Sequence, residues 1–125
     1  MFQKLHQGYV HSRRVRVLSQ LFAQLLPLQA SVLDVGCGDG LLAGLIVKSR
    51  PDIQMNGIDV LVRQDTMIPV TWFDGVSIPL PDQSIDVVMF VDVLHHTTDP
   101  MILLKEAKRV AKQYVLIKDH TCDES

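Results

Sequence analysis

The sequence predicts an α/β protein built on one doubly wound parallel sheet with helices on both faces. Three observations lead to this prediction. Short β-rich segments alternate with helical patterns along the 125 residues, as in sheets joined by right-handed crossovers. The run at 85–91, I-D-V-V-M-F-V, is apolar enough for a strand covered on both faces. The run at 32–40, V-L-D-V-G-C-G-D-G, leads from a strand through a glycine-rich bend into a helical pattern.

Composition narrows the possible classes of protein. Hydrophobic residues make up 47% of the chain, which argues against disorder and suits one domain. The net charge of -2, without long basic runs, predicts no nucleic-acid partner. No apolar run approaches the roughly 18 residues of a membrane span. Two cysteines, Cys37 and Cys122, do not make a disulfide framework, and we therefore expect a cytoplasmic protein.

The elements follow from periodicity and from helix caps. An amphipathic helix is predicted over residues 12 to about 29, within an N-terminal helical segment (1–30) packed on a ligand-binding domain (31–125). Its predicted buried face holds Val15, Leu18, Phe22, Leu25 and Leu26. A second helix is predicted over 40–49, and a third begins at Asp99-Pro100, an N-cap followed by proline. The predicted strands are 31–35, 53–58, 70–73, 85–91 and 114–118.

The glycine-rich bend indicates a ligand site and limits the kind of ligand. Gly36, Gly38 and Gly40 allow bare backbone to approach a bound molecule. The dinucleotide fingerprint G-x-G-x-x-G would need glycine at position 41, where Leu41 stands. Asp39 would repel a pyrophosphate at the start of the helix. A neutral or cationic nucleoside therefore fits this bend better than a nicotinamide dinucleotide.

Every predicted strand ends at or near an aspartate. In a doubly wound sheet these ends face one crevice, at the point where the strand order reverses. A rim of carboxylates suits a ligand rich in hydroxyls, amines and positive charge. Asp59, 23 residues after Gly36, stands where an acidic residue meets ribose hydroxyls, although a helix-cap or turn aspartate is the alternative. The five residues are Asp34, Asp59, Asp74, Asp92 and Asp119.

Two motifs carry a resemblance to a known family. The bend at 32–40 resembles the first motif of class I methyltransferases, which bind S-adenosylmethionine. The run at 78–88, I-P-L-P-D-Q-S-I-D-V-V, resembles the pattern L-P-F-x-D-x-S-F-D-x-V of small-molecule members. The resemblance implies a Rossmann-like sheet in the order 3-2-1-4-5 and methyl transfer to a small-molecule acceptor. It also implies cofactor contacts from Asp34, Val35, Gly36, Cys37, Gly38, Asp59, Val60, Phe73, Asp74, Gly75, Val76, Val91 and Asp92.

Within that resemblance, individual roles differ. Asp74 is expected to accept from the adenine amine, with the N–H of Gly75 or Val76 facing a ring nitrogen. Asp86 precedes strand four, away from the ligand, and is interpreted as structural.

The candidate catalytic residues are histidines. His95 and His96 could take a proton from a nucleophile, or could serve only in packing or capping. His120 is a weaker third candidate, and no metal site is expected. Tyr9 and His11 are candidate lid residues.

Two departures from the family pattern affect the expectations. Only 14 residues separate Asp59 from Asp74, too few for the usual helix. The adenine side of the site is therefore either more open than in the family or filled by Arg63 and Trp72. The chain also stops just beyond strand five, without the usual C-terminal antiparallel hairpin. Either the chain is a fragment, or it is a minimal version of the fold with an exposed edge strand, and a homodimer through that edge is one hypothesis. The rival interpretations are a non-catalytic S-adenosylmethionine-binding module or accessory subunit and, less favoured, an NAD-dependent oxidoreductase.

Overall fold

The computed structural model describes residues 2–119, and it describes side chains from residue 13 onward. Three helices, five strands and one short 3-10 turn alternate along this part of the chain. The helices are α1 (Phe2–Leu25), α2 (Leu41–Ser49) and α3 (Pro100–Val110), and the 3-10 turn is Leu94–His96. The strands are β1 (Ser31–Val35), β2 (Gln54–Asp59), β3 (Val70–Trp72), β4 (Ile85–Val91) and β5 (Ala111–Lys118).

The five strands form one sheet in the order β3-β2-β1-β4-β5, and every neighbouring pair is parallel. This confirms the predicted fold class and strand order. β1 is central, because Asp34 lies beside Gly57 of β2 on one side and Met89 of β4 on the other. The strand order reverses between β1 and β4, so their carboxyl ends open a crevice there.

Alternate residues of the strands bury opposite faces of the sheet. One face packs under α1 and α2, where Phe22, Leu26 and Ile46 meet Val32 and Met89. The other face packs under α3, where Leu103 and Ala107 meet Leu33, Val88 and Phe90. The sheet is therefore the middle of three layers, with helices on both faces as predicted.

The first helix differs from its prediction. α1 begins near the N-terminus and ends at Leu25, not near residue 29. It ends there because the Arg50 guanidinium donates to the carbonyl oxygens of Ala23, Leu26 and Pro27, at 2.6, 3.1 and 3.0 Å. Leu25 was assigned to the buried face, but it is 48% exposed, since Phe22 and Leu26 define the stripe that meets the sheet.

The other boundaries shift by a few residues. β2 begins at Gln54, one residue later than predicted, and β3 ends at Trp72, one earlier. β5 begins at Ala111, directly after α3, because Ala111 pairs with Ile85 across a register shift. Tyr9 and His11 fall within α1, but their side chains lie outside the described residues, as does all of His120. Among the described helices, none has the length and apolar character needed to cross a membrane.

Candidate functional site

Two adjoining cavities open at the carboxyl ends of β1 and β4. Both are lined by Gly36, Val91 and Asp92, so we describe them as two lobes of one crevice. The large lobe, of about 670 Å³, extends toward β2, β3 and the start of α3. The small lobe, of about 270 Å³, lies beneath α1, between β1 and the glycine-rich bend. This is the position where doubly wound sheets bind ligands.

The glycine-rich bend needs glycine for conformation and for space. Gly36 and Gly38 have φ angles of 72° and 61°, in the left-handed region. A Cβ atom on Gly36 would lie 2.8 Å from Val93 Cγ2, so any larger residue would collide there. Asp39 Oδ1 accepts from the Leu41 N–H at 3.1 Å, at the first residue of α2. The Asp39 carboxylate thus accepts from a backbone N–H that a pyrophosphate would need as its donor. This agrees with the argument against a dinucleotide.

Asp59 is fixed in position at the mouth of the large lobe. Its Oδ2 accepts from the Gly38 N–H at 2.8 Å, and its Oδ1 accepts from the Leu61 N–H at 3.3 Å. The first bond joins the end of β2 to the glycine-rich bend. A carboxylate offers about four acceptor positions, so two remain for ligand hydroxyls. Backbone N–H groups therefore hold the Asp59 carboxylate in position and leave two of its acceptor positions open.

The far side of the large lobe is formed by residues that follow β3. Phe73 is buried there, while Val60 and Val76 present apolar side chains to the same lobe. Asp74 Oδ1 accepts from the N–H groups of Val76 and Ser77, both at 2.8 Å. These backbone donors, Ser77 first, lower the pKa of Asp74 below its usual value. The Val76 N–H is thus engaged with Asp74, which leaves the Gly75 N–H as the better candidate for a ligand.

The small lobe contains a buried acid. Asp34 is 3% exposed, and its carboxyl has no hydrogen-bond partner among the described side chains and backbone. Burial, and then the nearby Asp59 charge, raise the pKa of Asp34 to about 7. Arg14, Val15 and Leu18 of α1 cover this lobe. An unpartnered polar group in a cavity is the arrangement expected where a ligand supplies the missing partner.

Cys37 packs against the strand beside the bend. A Cβ atom on Gly57 of β2 would collide with its sulfur, so glycine at 57 and a small residue at 37 fit each other. Burial, followed by the charges of Asp34 and Asp59, raises the pKa of the Cys37 thiol to about 12. The residue is therefore a protonated packing group and not a nucleophile at neutral pH.

Asp92 connects the two lobes. Its φ angle is 56°, a left-handed conformation uncommon outside glycine. The Asp92 N–H donates to the Lys118 carbonyl at 2.7 Å, and Lys118 Nζ donates to Asp92 Oδ1 at 3.1 Å. β5 thus fixes both the backbone and the carboxylate of Asp92 at the seam of the crevice.

The two candidate histidines have different positions. His96 lines the large lobe, whereas His95 lines neither lobe. The His95 ring Nδ1 lies 2.5 Å from Asp119 Oδ1, and the His95 backbone N–H donates to Asp119 Oδ2 at 3.1 Å. The two imidazole rings lie close together, with centroids 3.8 Å apart. Asp119 therefore orients His95, while His96 both contacts His95 and lines the large lobe.

The structure brings most of the predicted cofactor residues into one crevice. Val35 lines neither lobe, because it is fully buried in the core beneath the bend. Gly38 lines neither lobe but positions Asp59 through its N–H. Among the side chains that the structure describes, those of residues 13–119, no group of three or more potential metal ligands occurs. The crevice also contains residues that the sequence argument did not select, namely Arg14, Val93, Thr97, Thr98, Asp99 and Ile102.

Arg14 is the main functional candidate that was missed. Arg13 and Arg16 lie close to it in the sequence, and charge alone does not show which of the three arginines faces the sheet. A usable signal was its spacing, since Arg14 lies four residues before Leu18, on the same side of α1. Both residues line the small lobe.

The crevice fits an adenosyl amino acid. The large lobe offers apolar surface for a base and a pre-oriented carboxylate for a sugar. The small lobe offers an unpartnered acid and one arginine, which suit the ammonium and carboxylate groups of an amino acid. The fold and the chemistry of the crevice are those expected of a nucleoside-binding protein of the S-adenosylmethionine-dependent class.

Comparison with known proteins agrees with that class. A family model described as a methyltransferase domain matches residues 7–124. The chain therefore belongs to the methyltransferase domain family, whose cofactor is S-adenosylmethionine. These matches give the oxidoreductase alternative no support.

Three individual matches illustrate the range of the relatives. The chain is 28% identical over 131 residues to 27-O-demethylrifamycin SV methyltransferase from Amycolatopsis mediterranei, covering 88% of this chain and 48% of that protein. It is 28% identical over 98 residues to a tRNA (carboxymethyluridine(34)-5-O)-methyltransferase from Schizosaccharomyces pombe, covering 75% and 41%. A SAM-dependent methyltransferase structure from Aquifex aeolicus superposes with a TM-score of 0.64 at 28% identity, covering 80% and 63%. The chain spans about half the length, or less, of these two curated relatives.

Proposed function

We propose that this protein transfers a methyl group from S-adenosylmethionine to a small-molecule acceptor. The observation that supports the proposal most directly is the two-lobed crevice, with the fixed Asp59 carboxylate at one lobe and the buried Asp34 carboxyl in the other. The large lobe would hold the adenosine half of the cofactor. The small lobe would hold its amino-acid end.

Each half of the cofactor would meet residues with matching chemistry. Asp59 would accept from the ribose hydroxyls, and each such charge-assisted bond stabilises binding by roughly 1.5–3 kcal/mol. Asp74 would accept from the adenine amine, with the Gly75 N–H facing the ring. Asp34 would accept from the ammonium group, and Arg14 would donate to the carboxylate. Val91 and Asp92, at the seam, would lie beneath the sulfur.

The protein's contribution to the reaction would be alignment. The cofactor, when bound, supplies a methyl group already activated for displacement by its sulfonium. Gly36 and Asp92 form the floor on which that centre would rest, and Lys118 holds Asp92 in place. Orientation of two reactants in one site supplies much of the rate of such a displacement.

The histidine pair would serve an acceptor that must lose a proton. If Asp119 accepts from Nδ1–H of His95, the imidazole is held as the tautomer with a basic Nε2. His96, which lines the large lobe, would be the side chain nearer to the acceptor. This arrangement favours a hydroxyl nucleophile over an amine. It makes His95 a positioning residue and His96 the candidate base.

The tautomer of His95 can be measured directly. We expect two-bond nitrogen–proton correlation spectra to show a protonated Nδ1 at neutral pH, because the Asp119 carboxylate lies beside it. Asp119→Asn should shift the tautomer ratio, and Asp99→Asn, a helix cap, should leave it unchanged. An unprotonated Nδ1 together with a protonated Nε2 in the unmodified protein would rule out the proposed orientation.

Charge and relatives support a small acceptor. The net charge of -2 does not favour an extended phosphate backbone. The rifamycin relative is named for a small molecule, and the Schizosaccharomyces pombe relative is named for tRNA. A mobility-shift assay with bulk tRNA at low salt separates these alternatives, and retention of the tRNA would count against the small-molecule acceptor.

Two further features belong to the proposal. The β5 strand is an edge of the described sheet, so a homodimer could form along it. A molar mass equal to one chain by light scattering at micromolar concentration would exclude this dimer. The half-buried free thiol of Cys37 suits a reducing, cytoplasmic setting, which fractionation of the native host would test.

The main test is binding of the demethylated product. Calorimetric titration should show that S-adenosylhomocysteine binds and that NADH does not. Asp59→Ala should weaken binding at least tenfold, about 1.4 kcal/mol, because the sugar loses its acceptor. Asp65→Ala, an exposed aspartate outside both lobes, is the matched control and should bind normally. An unchanged dissociation constant for Asp59→Ala would remove Asp59 from the site.

A further inference from the structure

The small lobe contains a titratable group whose charge the free protein does not balance. Asp34 is 3% exposed, and none of the described groups donates a hydrogen bond to its carboxyl. Its two strand neighbours, Gly57 and Met89, carry no donor side chain. A buried carboxylate without a donor or a cation is unfavourable, so the neutral acid is the form that this environment prefers.

The surroundings of Asp34 add negative charge. β2 contributes Asp59, β4 contributes Asp92 and the bend contributes Asp39, whereas α1 contributes the single cation Arg14. The Arg14 side chain is exposed, and it makes no ion pair with any described residue. Lys118 is directed to Asp92. Burial, and after it the charge of Asp59, raise the pKa of Asp34 to about 7.

We propose that Asp34, which is buried without a donor, holds a proton in the free protein and releases it when the ammonium group of the cofactor enters the small lobe. The inference rests on the proposed function, because it needs an amino-acid end in that lobe. The incoming cation would supply the partner that the chain lacks, and a nearby opposite charge favours the ionised carboxylate. Binding and proton release would then be coupled.

The sign of the pH dependence follows from linkage. The bound state would hold Asp34 ionised, and the free state would hold it partly protonated. Affinity should therefore rise with pH up to about 7, by up to tenfold per pH unit, and then level off. Because S-adenosylmethionine and S-adenosylhomocysteine share the same amino-acid end, both should show this dependence. The coupling would make cofactor occupancy sensitive to acidification.

Proton release can be counted without any activity measurement. We would titrate the full chain with S-adenosylhomocysteine in phosphate and in Tris at pH 7, buffers with different ionisation enthalpies. The difference in heat should report about half a proton released per molecule bound. Asp34→Asn should lose this release, and Asp39→Asn, in the same lobe but exposed, should retain it. The ligand's own titration is common to all three proteins and cancels in the comparison.

A second measurement on the unmodified protein avoids dependence on the variants. Infrared difference spectra should show loss of a protonated carboxyl band on binding at pH 7. Binding without proton release and without loss of that band would overturn the inference and leave the proposed cofactor site standing. Failure of S-adenosylhomocysteine to bind at all would overturn the proposed function, and the inference with it.

Discussion

The two edges of the sheet hold aspartates in opposite situations. At the amino edge, where β4 begins, Asp86 Oδ2 accepts from the Ser31 N–H at 2.9 Å and from the Ser31 hydroxyl at 3.2 Å. At the carboxyl edge of the same sheet, Asp34 is buried and has no such partner. The donors at Ser31 lower the pKa of Asp86, whereas burial raises that of Asp34. The two acids therefore affect stability with opposite signs.

Other acids follow the same division. Near the amino edge, the Arg50 guanidinium pairs with Asp52 at 2.8 Å, and Arg109 pairs with Glu106 at 2.9 Å. Each arginine also donates to backbone carbonyls, so these pairs anchor loops to helix ends. At the carboxyl edge, acids accumulate around the crevice with fewer cations. The contrast indicates that the first edge stabilises the fold, while the second retains unfavourable charge that a ligand can relieve.

The largest expected change in the free energy of unfolding comes from substitution of Asp34. Because its pKa in the folded state is about 7 and its ordinary value is 3.8, ionisation of Asp34 opposes folding above pH 4. Asp34→Asn should therefore increase the free energy of unfolding, by at most on the order of 4 kcal/mol at pH 8. The gain should shrink as pH falls from 7 to 4 and disappear below pH 4, where the acid becomes neutral in both states. Urea unfolding of both proteins across this range measures it.

Asp34→Asn should also weaken binding of S-adenosylhomocysteine. This variant therefore tests directly whether the carboxyl edge serves binding and the amino edge serves stability. Gain of stability with loss of affinity is the pattern expected of a residue kept for function. Equal stability of the two proteins from pH 4 to 8 would show that Asp34 has a compensating partner in solution. The contrast between the two edges would then fail.

Much of the fold could be predicted from the sequence, because its signals are local. The run Ile85–Val91 is apolar enough to identify a buried central strand, and Asp99-Pro100 marks the start of α3, where Asp99 Oδ1 accepts from the Ile102 N–H. The order β3-β2-β1-β4-β5 came from a resemblance, and it holds because the glycine-rich bend must follow a central strand. Asp86 was expected at the edge away from the ligand, and it lies there, bonded to Ser31.

The rest depends on contacts between distant residues. The end of α1 at Leu25 is determined by Arg50, which lies 24 residues beyond the Leu26 carbonyl that it binds. The spacing of Arg14 from Leu18 places both residues on one side of α1, but it does not show that this side meets the end of β1, where the small lobe lies. His95 and His96 have different surroundings because Asp119, 24 residues beyond His95 in the chain, binds His95. Sequence spacing can place such residues near the site, but it does not show which distant residue each of them contacts.

A smaller effect is expected at the opposite edge. Asp86→Asn keeps the shape of the side chain but removes the charge that strengthens its bonds with Ser31. It should lower the free energy of unfolding by about 1 kcal/mol at pH 7, since solvent screens this half-exposed group. Because the folded-state pKa of Asp86 is depressed, the loss should be full above pH 4 and should disappear as pH falls through that depressed value.

The binding measurement completes this test. Asp86→Asn should bind S-adenosylhomocysteine as the unmodified protein does, because Asp86 lies at the edge away from both lobes. Ser31→Ala removes the hydroxyl from the same pair and should reproduce the loss of stability with unchanged affinity. If either variant lowered affinity by more than about twofold (about 0.4 kcal/mol), the amino edge would influence the crevice, and the functional separation of the two edges would be wrong.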